Sequence, residues 1–293
     1  LMSTTIWWVR RDLRLTDNAA LHAALQEGEK VLPVYVLDRR LLQSRYNGEK
    51  RTAFLFAGLR ALDADLRSRG SRLVVRSGDP AAVLAQVCAE AQASAVFAAR
   101  DYSPFAVRRD AAVAAALPVP LHLCEGVAAR APDSVLKDDG SPFSVYTPFS
   151  KRWRAAGPFR RGDILPAPQV IPTPEVEGEA IPGEPALPGG VPFVAGEAEA
   201  KRRLGAFAGG ADAPVFRYGG LRDQPGVAGT SQLSPYLRWG MISPRLAALA
   251  AYEAIERAGA EGGAGAKEAA AKEAGAKEAA KGADVWLAEL IWR

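Results

Sequence analysis

The densest grouping of side chains able to hold a ligand is Thr230-Ser231-Gln232-Leu233-Ser234-Pro235, which packs three hydroxyls and a serine-then-proline helix start into six residues. Free backbone N–H groups at such a start, together with the helix dipole, form an anion site. The alternative is that Ser234, like Ser243 before Pro244, only caps its helix. The second grouping is Trp286-Leu287-Ala288-Glu289-Leu290-Ile291-Trp292-Arg293. On a helix, Glu289, Trp292 and Arg293 stand at i, i+3 and i+4 and share one face. The competing reading there is an intrahelical Glu289–Arg293 pair and a core tryptophan.

Other chemistries lack their parts. His22 and His122 each stand alone on an apolar element, which argues against a histidine-built metal site or triad. Cys88 and Cys124 lie in core elements without metal-ligand spacing, and a disulfide framework is not expected, which favours a reducing cytoplasm. No glycine-rich dinucleotide fingerprint and no Walker-type loop occurs. No apolar run reaches the ~20 residues of a bilayer crossing. No signal peptide is expected, because arginines and Asp12 follow the first apolar stretch. The net charge of +4 permits a nucleic-acid partner without demanding one.

The elements that must carry these groups alternate in the first half of the 293 residues. Strands are predicted at Thr5–Val9, Val31–Leu37, Arg72–Arg76, Ala95–Ala98 and Val119–Leu123. Helices are predicted between them: Asn18–Gln26 capped by Asp17, Arg51–Arg69 stopped by Gly70, a helix from Asp79-Pro80 to about Ala91, and Phe105–Leu117. Such alternation implies a five-stranded parallel, Rossmann-like sheet with helices on both faces, an α/β domain over residues 3–130. From Pro132 to Glu197 prolines and glycines recur, and a surface connector over 131–196 is predicted. An all-α portion follows over 197–293, with helices at Ala198–Ala208 and Leu246–Arg257. The Ala/Lys/Glu repeat Ala264–Gly282 suits a solvated helix or semi-rigid spacer and reads as a low-complexity insertion, within 260–283, between two helices.

Three stretches together resemble the DNA photolyase/cryptochrome family. Trp7-Trp8-Val9-Arg10-Arg11-Asp12-Leu13-Arg14-Leu15-Thr16-Asp17 is similar to the family's opening strand and turn, where Asp12 can pair with arginines across the turn. Thr230–Leu237, with Gly240 and Ile242-Ser243-Pro244-Arg245, is similar to its T-S-x-L-S-P-x-L-x-x-G-x-I-S-P-R signature. Trp286–Arg293 resembles its E-L-I-W-R helix, and Asp138–Phe149 its D-G-x-P-Y-x-V-F-T-P-F segment. The likeness is greatest to class I cyclobutane pyrimidine dimer photolyases, which continue well past the E-L-I-W-R helix.

The resemblance implies an α/β domain followed by the start of a helical FAD-binding domain. It implies light-driven repair of damaged DNA by a monomer, with FAD and a second antenna chromophore (a folate, deazaflavin or flavin). By the same likeness Tyr218, Thr230, Ser231, Gln232, Leu233, Ser234 and Arg293 contact FAD, and Glu289 and Trp292 meet the extruded dimer. No side chain acts as nucleophile. Tyr102, Arg108 and Arg109 are candidates for the antenna or for plain turn and helix surface. Glu289, where glutamine is commoner in cryptochromes of the animal type, tilts the reading toward cyclobutane dimers. A blue-light photoreceptor, a different α/β nucleotide-binding module and a free-standing antenna domain are the competing readings.

Overall fold

A computed structural model of the chain describes residues 3–187, 189, 193–260 and 268–292, with side chains of the last helix from residue 275 onward. The chain divides into two compact units. The first takes Leu1–Val127, Leu165–Glu199 and Tyr236–Ser243; the second takes Ala128–Ile164, Ala200–Pro235 and Pro244–Arg293.

In the first unit, β1 (Thr4–Val9), α1 (Ala19–Glu27), β2 (Lys30–Leu37), α2 (Arg39–Leu42), α3 (Glu49–Arg67), β3 (Val74–Ser77), α4 (Pro80–Ala91), β4 (Ala93–Ala99), α5 (Pro104–Ala116) and β5 (Leu121–Cys124) follow in order. The five strands form one parallel sheet in the order β3-β2-β1-β4-β5. Side chains alternate across a strand, so β1 serves both faces. Ile6 and Trp8 join Leu84, Val87 and Val113 of α4 and α5 in one core. Thr5, on the opposite face, donates its hydroxyl to Ala24 O of α1 at 2.9 Å. α4 starts as the sequence requires: the Asp79 side chain accepts the Ala81 N–H, and Pro80 occupies the first turn.

The turn after β1 departs from expectation twice. The helix cap is Asn18, not Asp17: Asn18 Oδ1 accepts the Leu21 N–H at 3.0 Å. Its Nδ2 donates to Arg14 O at 2.9 Å, a bond no aspartate can make. Asp17 sits at φ +56°. It exchanges bonds with the Leu165 backbone and accepts the Ser243 hydroxyl. Asp12 takes the Trp7 indole N–H at 2.9 Å, the Arg10 N–H at 2.8 Å and the Asn18 amide, and among the described residues no hydrogen bond from an arginine side chain.

The expected connector is also more ordered than its prolines suggest. Its part within the first unit is strapped to the sheet: Val31 N–H donates to Pro172 O at 2.7 Å, and Glu179 pairs with Val75 in an isolated antiparallel bridge. Ile171 and Val176 are buried, so this stretch is not laid wholly over the surface.

Within the second unit the expected connector forms α6 (Tyr146–Ala155). Pro148 falls in its first turn, where no intrahelical donor is needed. The chain continues with α7 (Glu197–Ala208), α8 (Tyr218–Leu221), α9 (Ser234–Trp239), α10 (Pro244–Ala260) and α11 (Glu268–Trp292). The Ala/Lys/Glu stretch is helical from Glu268 on and runs without a break into the rest of α11. Alanine, glutamate and lysine are strong helix formers, so the repeat propagates the helix. α11 packs on α10, α8 and α6. Gly282 stands where a Cβ would overlap the Phe216 carbonyl.

Candidate functional site

The second unit brings the expected substrate groups together on α11. Trp286, Leu287 and Ile291 are buried on one side of the helix. Trp292 is 67% exposed, which removes the core-tryptophan reading. Glu289 is less covered than these and pairs with Arg222, whose Nη1 lies 2.5 Å from Glu289 Oε1. Arg293, expected to contact FAD or to pair with Glu289, lies outside the described residues.

Two residues not nominated from sequence hold this face. Tyr146 of α6 donates its hydroxyl to Ala288 O at 2.9 Å and sets its ring against Trp292, with centroids 4.7 Å apart at 85°. Edge-to-face packing of this kind fixes an indole that solvent would otherwise leave free. Burial pushes the Tyr146 hydroxyl above its ordinary value. Arg222 is the other: its guanidinium carbon lies 5.8 Å from the Tyr218 ring centre. Burial, then the Glu289 charge, raises Tyr218, while Arg222 opposes them. Tyr218 packs edge-on against Phe207 at 5.9 Å, and Phe207 against Trp286 at 5.1 Å.

The hydroxyl-rich turn is built on fixed points. Gly229 has no room for a side chain, since a Cβ there would come within 2.5 Å of Leu221 Cβ. Leu233 is buried and anchors the turn from below. Gln232 adopts φ +51°, and its amide oxygen accepts from Arg203 Nη1 at 2.9 Å. Ser231 Oγ weakly accepts the Leu233 N–H at 3.4 Å. Thr230 and Ser234 are exposed, and their hydroxyls have no hydrogen-bond partner among the described residues. One expectation needs correction: α9 has only six residues, less than two turns, so its dipole adds little. The exposed hydroxyls and the turn's own backbone remain as donors. They fit the phosphates of a dinucleotide cofactor, whose oxygens need donors and no bulky neighbour.

The first unit holds a separate cavity of about 330 Å3 at the carboxyl ends of β1, β2 and β4. Ligands of open α/β sheets sit there, beside the point where strand order reverses. Trp8 forms its aromatic wall, with the Arg10 guanidinium 4.4 Å and that of Arg109 5.0 Å from the ring. Both arginines bond Asp110 Oδ1, and Arg10 also reaches Ala99 O. Desolvation by burial, then repulsion from Arg109, lowers Arg10. Of the three residues suggested for an antenna, Arg109 lines this cavity. Tyr102 bonds Glu125, and Arg108 is exposed on α5. Arg10 and Trp8 stood in the opening motif but were not assigned to a site, because the partners of Arg10 lie on β4 and α5, far along the chain.

Among the described residues no cluster could hold a metal ion, and no helix is long and apolar enough to cross a membrane.

The family described as DNA photolyase matches residues 5–173. The chain is 36% identical over its whole length to a deoxyribodipyrimidine photo-lyase of Thermus thermophilus, and spans 59% of that protein. It is 34% identical to an uncharacterized 31.6 kDa protein of Synechococcus sp., with 86% of this chain and 90% of that one covered. Among solved structures, the archaeal photolyase of Sulfolobus tokodaii, described with two FAD molecules that imply a novel light-harvesting cofactor, matches with a TM-score of 0.66 and 26% identity, over 83% of this chain and 54% of that one.

Proposed function

The chain belongs to the DNA photolyase family, and on that premise we propose that it supplies the flavin-phosphate turn and the dimer-facing wall of a light-driven enzyme that splits cyclobutane pyrimidine dimers in DNA. The observation that carries this reading is an exposed indole, Trp292, held edge-on by Tyr146 and standing one helical turn from the carboxylate of Glu289. A pyrimidine dimer turned out of the duplex needs a flat wall to replace its lost stacking and a polar group for its base edges. Trp292 supplies the first and Glu289 the second.

Thr230, Ser231 and Ser234 would hold the FAD phosphates, with Gln232 and Leu233 shaping the turn and Tyr218 beside the cofactor. Reduced FAD, when bound, supplies the photochemical electron that opens the dimer. The protein's own part is to bind, to orient and to keep water out. The cavity at Trp8 suits a second, antenna chromophore, since it joins an aromatic wall to cationic groups. Damaged DNA is the partner, met by a monomer in a reducing cytoplasm, consistent with the free thiols of Cys88 and Cys124.

The test is dark binding to a synthetic duplex carrying one thymine dimer, against the same duplex undamaged. A clear preference for the dimer, abolished by W292A, is expected; equal binding to both duplexes would refute the reading.

A further inference from the structure

A cavity of about 410 Å3 lies wholly within the second unit, between α7 and α10. None of the groups assigned above to flavin, dimer or antenna lines it. α7 contributes Lys201, Gly205 and Ala208, at i, i+4 and i+7. α10 contributes Leu246, Ala250, Glu253 and Arg257, at i, i+4, i+7 and i+11. Such spacing puts each set on one helix face. Leu204 and Leu249 are buried and, with Leu246, give the cavity an apolar floor. α7 and α10 make little contact with each other. A Cβ built on Gly205 would meet nothing within 4 Å beyond its own helix turn.

The charges around this floor do not balance. The acid that lines it, Glu253, is already held in a two-pronged pair with Arg161, at 2.8 Å from Nε and 3.1 Å from Nη2. Arg257 is bound differently. Its Nη2 donates to Ala208 O at the end of α7, an acceptor without formal charge. Its Nε is shut from solvent and makes no bond. Among the described residues no carboxylate pairs with Arg257, and Nη1 is the donor left to face the cavity. A half-buried cation beside apolar walls, without a counter-ion, favours an anion. Lys201 adds positive charge on the α7 side.

We propose that this cavity is a binding site for a small organic anion, with a carboxylate or phosphate head bonded to Arg257 and an apolar body against Leu204, Leu246 and Leu249. An apolar lining with a few fixed polar groups is the make-up of small-molecule sites, and the volume falls in their range. A DNA strand suits it less well, because its phosphates ride on a polar backbone and bring no apolar body. The site is independent of the reading of Glu289 and Trp292.

The experiment is equilibrium dialysis of the purified protein against naphthalene-2-carboxylate, 2-naphthyl phosphate and the neutral naphthalene-2-carboxamide. Wild type, R257Q, R257K and G205L are compared, with a thermal midpoint for each. Wild type is expected to bind at least one of the two anions at about 0.1 mM, an ordinary affinity for ligands this small; the tighter one identifies the head group. The carboxamide should bind wild type about tenfold more weakly, and R257Q should bind the anion about tenfold more weakly, the scale of a hydrogen bond to a charged group. R257K, which keeps the charge, should bind more tightly than R257Q. G205L fills the gap and should abolish binding. Its thermal midpoint should be no lower than that of wild type, because the new side chain enters open space and glycine is unfavourable inside a helix. Four results overturn the proposal. The first is no saturable binding of either anion up to about 5 mM, and the second is equal binding of the carboxamide. The third is binding that R257Q and G205L both leave intact, which would put the probe elsewhere, such as at Trp8. The fourth is displacement of the anion by an undamaged duplex, which would make the cavity a DNA contact.

Discussion

Replacing Asp110 by alanine is expected to destabilise the first unit by about 3–4 kcal/mol, the scale for breaking one side of a buried ion pair. Asp110 and Arg10 are buried, at 4% and 7% side-chain exposure. The carboxylate accepts from Arg10 Nη1, and from Arg109 Nε at 2.9 Å and Nη2 at 2.8 Å. Without it two guanidinium groups face each other over Trp8, and only Arg10 keeps a backbone acceptor, at Ala99 O. D110N keeps an acceptor and loses only the charge, so about half the effect is expected. R10M/D110L removes the Arg10–Asp110 pair but leaves Arg109 without its carboxylate partner, so it should recover only part of the loss. The assay is a urea titration read by near-ultraviolet circular dichroism, and in a thermal scan D110A should lower the midpoint by about 6–16 °C. A D110A midpoint within about 0.5 kcal/mol of wild type would refute the reasoning, since that is the scatter of ordinary surface changes.

Gly240 adopts φ +66°, and a Cβ there would overlap the Arg11 carbonyl, so G240A should destabilise the first unit by about 3–5 kcal/mol; an unchanged urea midpoint would contradict that. Burial alone would raise Asp101, but the Ser103 N–H and Arg11 outweigh it and hold the carboxyl below its ordinary value. A depressed folded value means stability that is present above the unfolded pKa of about 4 and lost as pH falls through the folded one. Urea midpoints should therefore drop in acid below about pH 4, less steeply in D101N, and an identical pH dependence in D101N would count against the assignment. Burial pushes the Cys88 thiol up to about 11. At about pH 8 it should react with a disulfide reagent only after unfolding, because the thiolate is the reactive form; rapid labelling of the native protein would be the contrary result.

What could be read along the chain was what depends on neighbours in sequence. Strand–helix alternation located the sheet, and Asp79-Pro80 marked a helix start that the structure keeps. The Pro-rich stretch misled because position matters more than density: Pro148 falls in a first turn and costs no hydrogen bond. Asp17 and Asn18 are both good caps by type. The choice between them follows from an amide donor meeting Arg14 O, which only the folded turn creates. The Ala/Lys/Glu repeat looked like an insertion because it lacks an apolar face, yet Gly282 and Ala283 at its end are packed.

At the site, Glu289 and Trp292 were visible from helical spacing. Arg222 and Tyr146 were not, because each reaches its partner from a distant part of the chain, the end of α8 and α6. The Arg10–Asp110 pair escaped for the same reason, joining the end of β1 to α5.

The account turns on Trp292 meeting the damaged base. The most direct measurement is the indole N–H spectrum of nitrogen-15-labelled protein, with resonances assigned by single tryptophan substitutions, on adding a thymine-dimer dinucleotide. The account expects the Trp292 signal to shift and the signals of buried Trp7 and Trp286 to stay in place. An unmoved Trp292 signal, or the same shift produced by the undamaged dinucleotide, would contradict it.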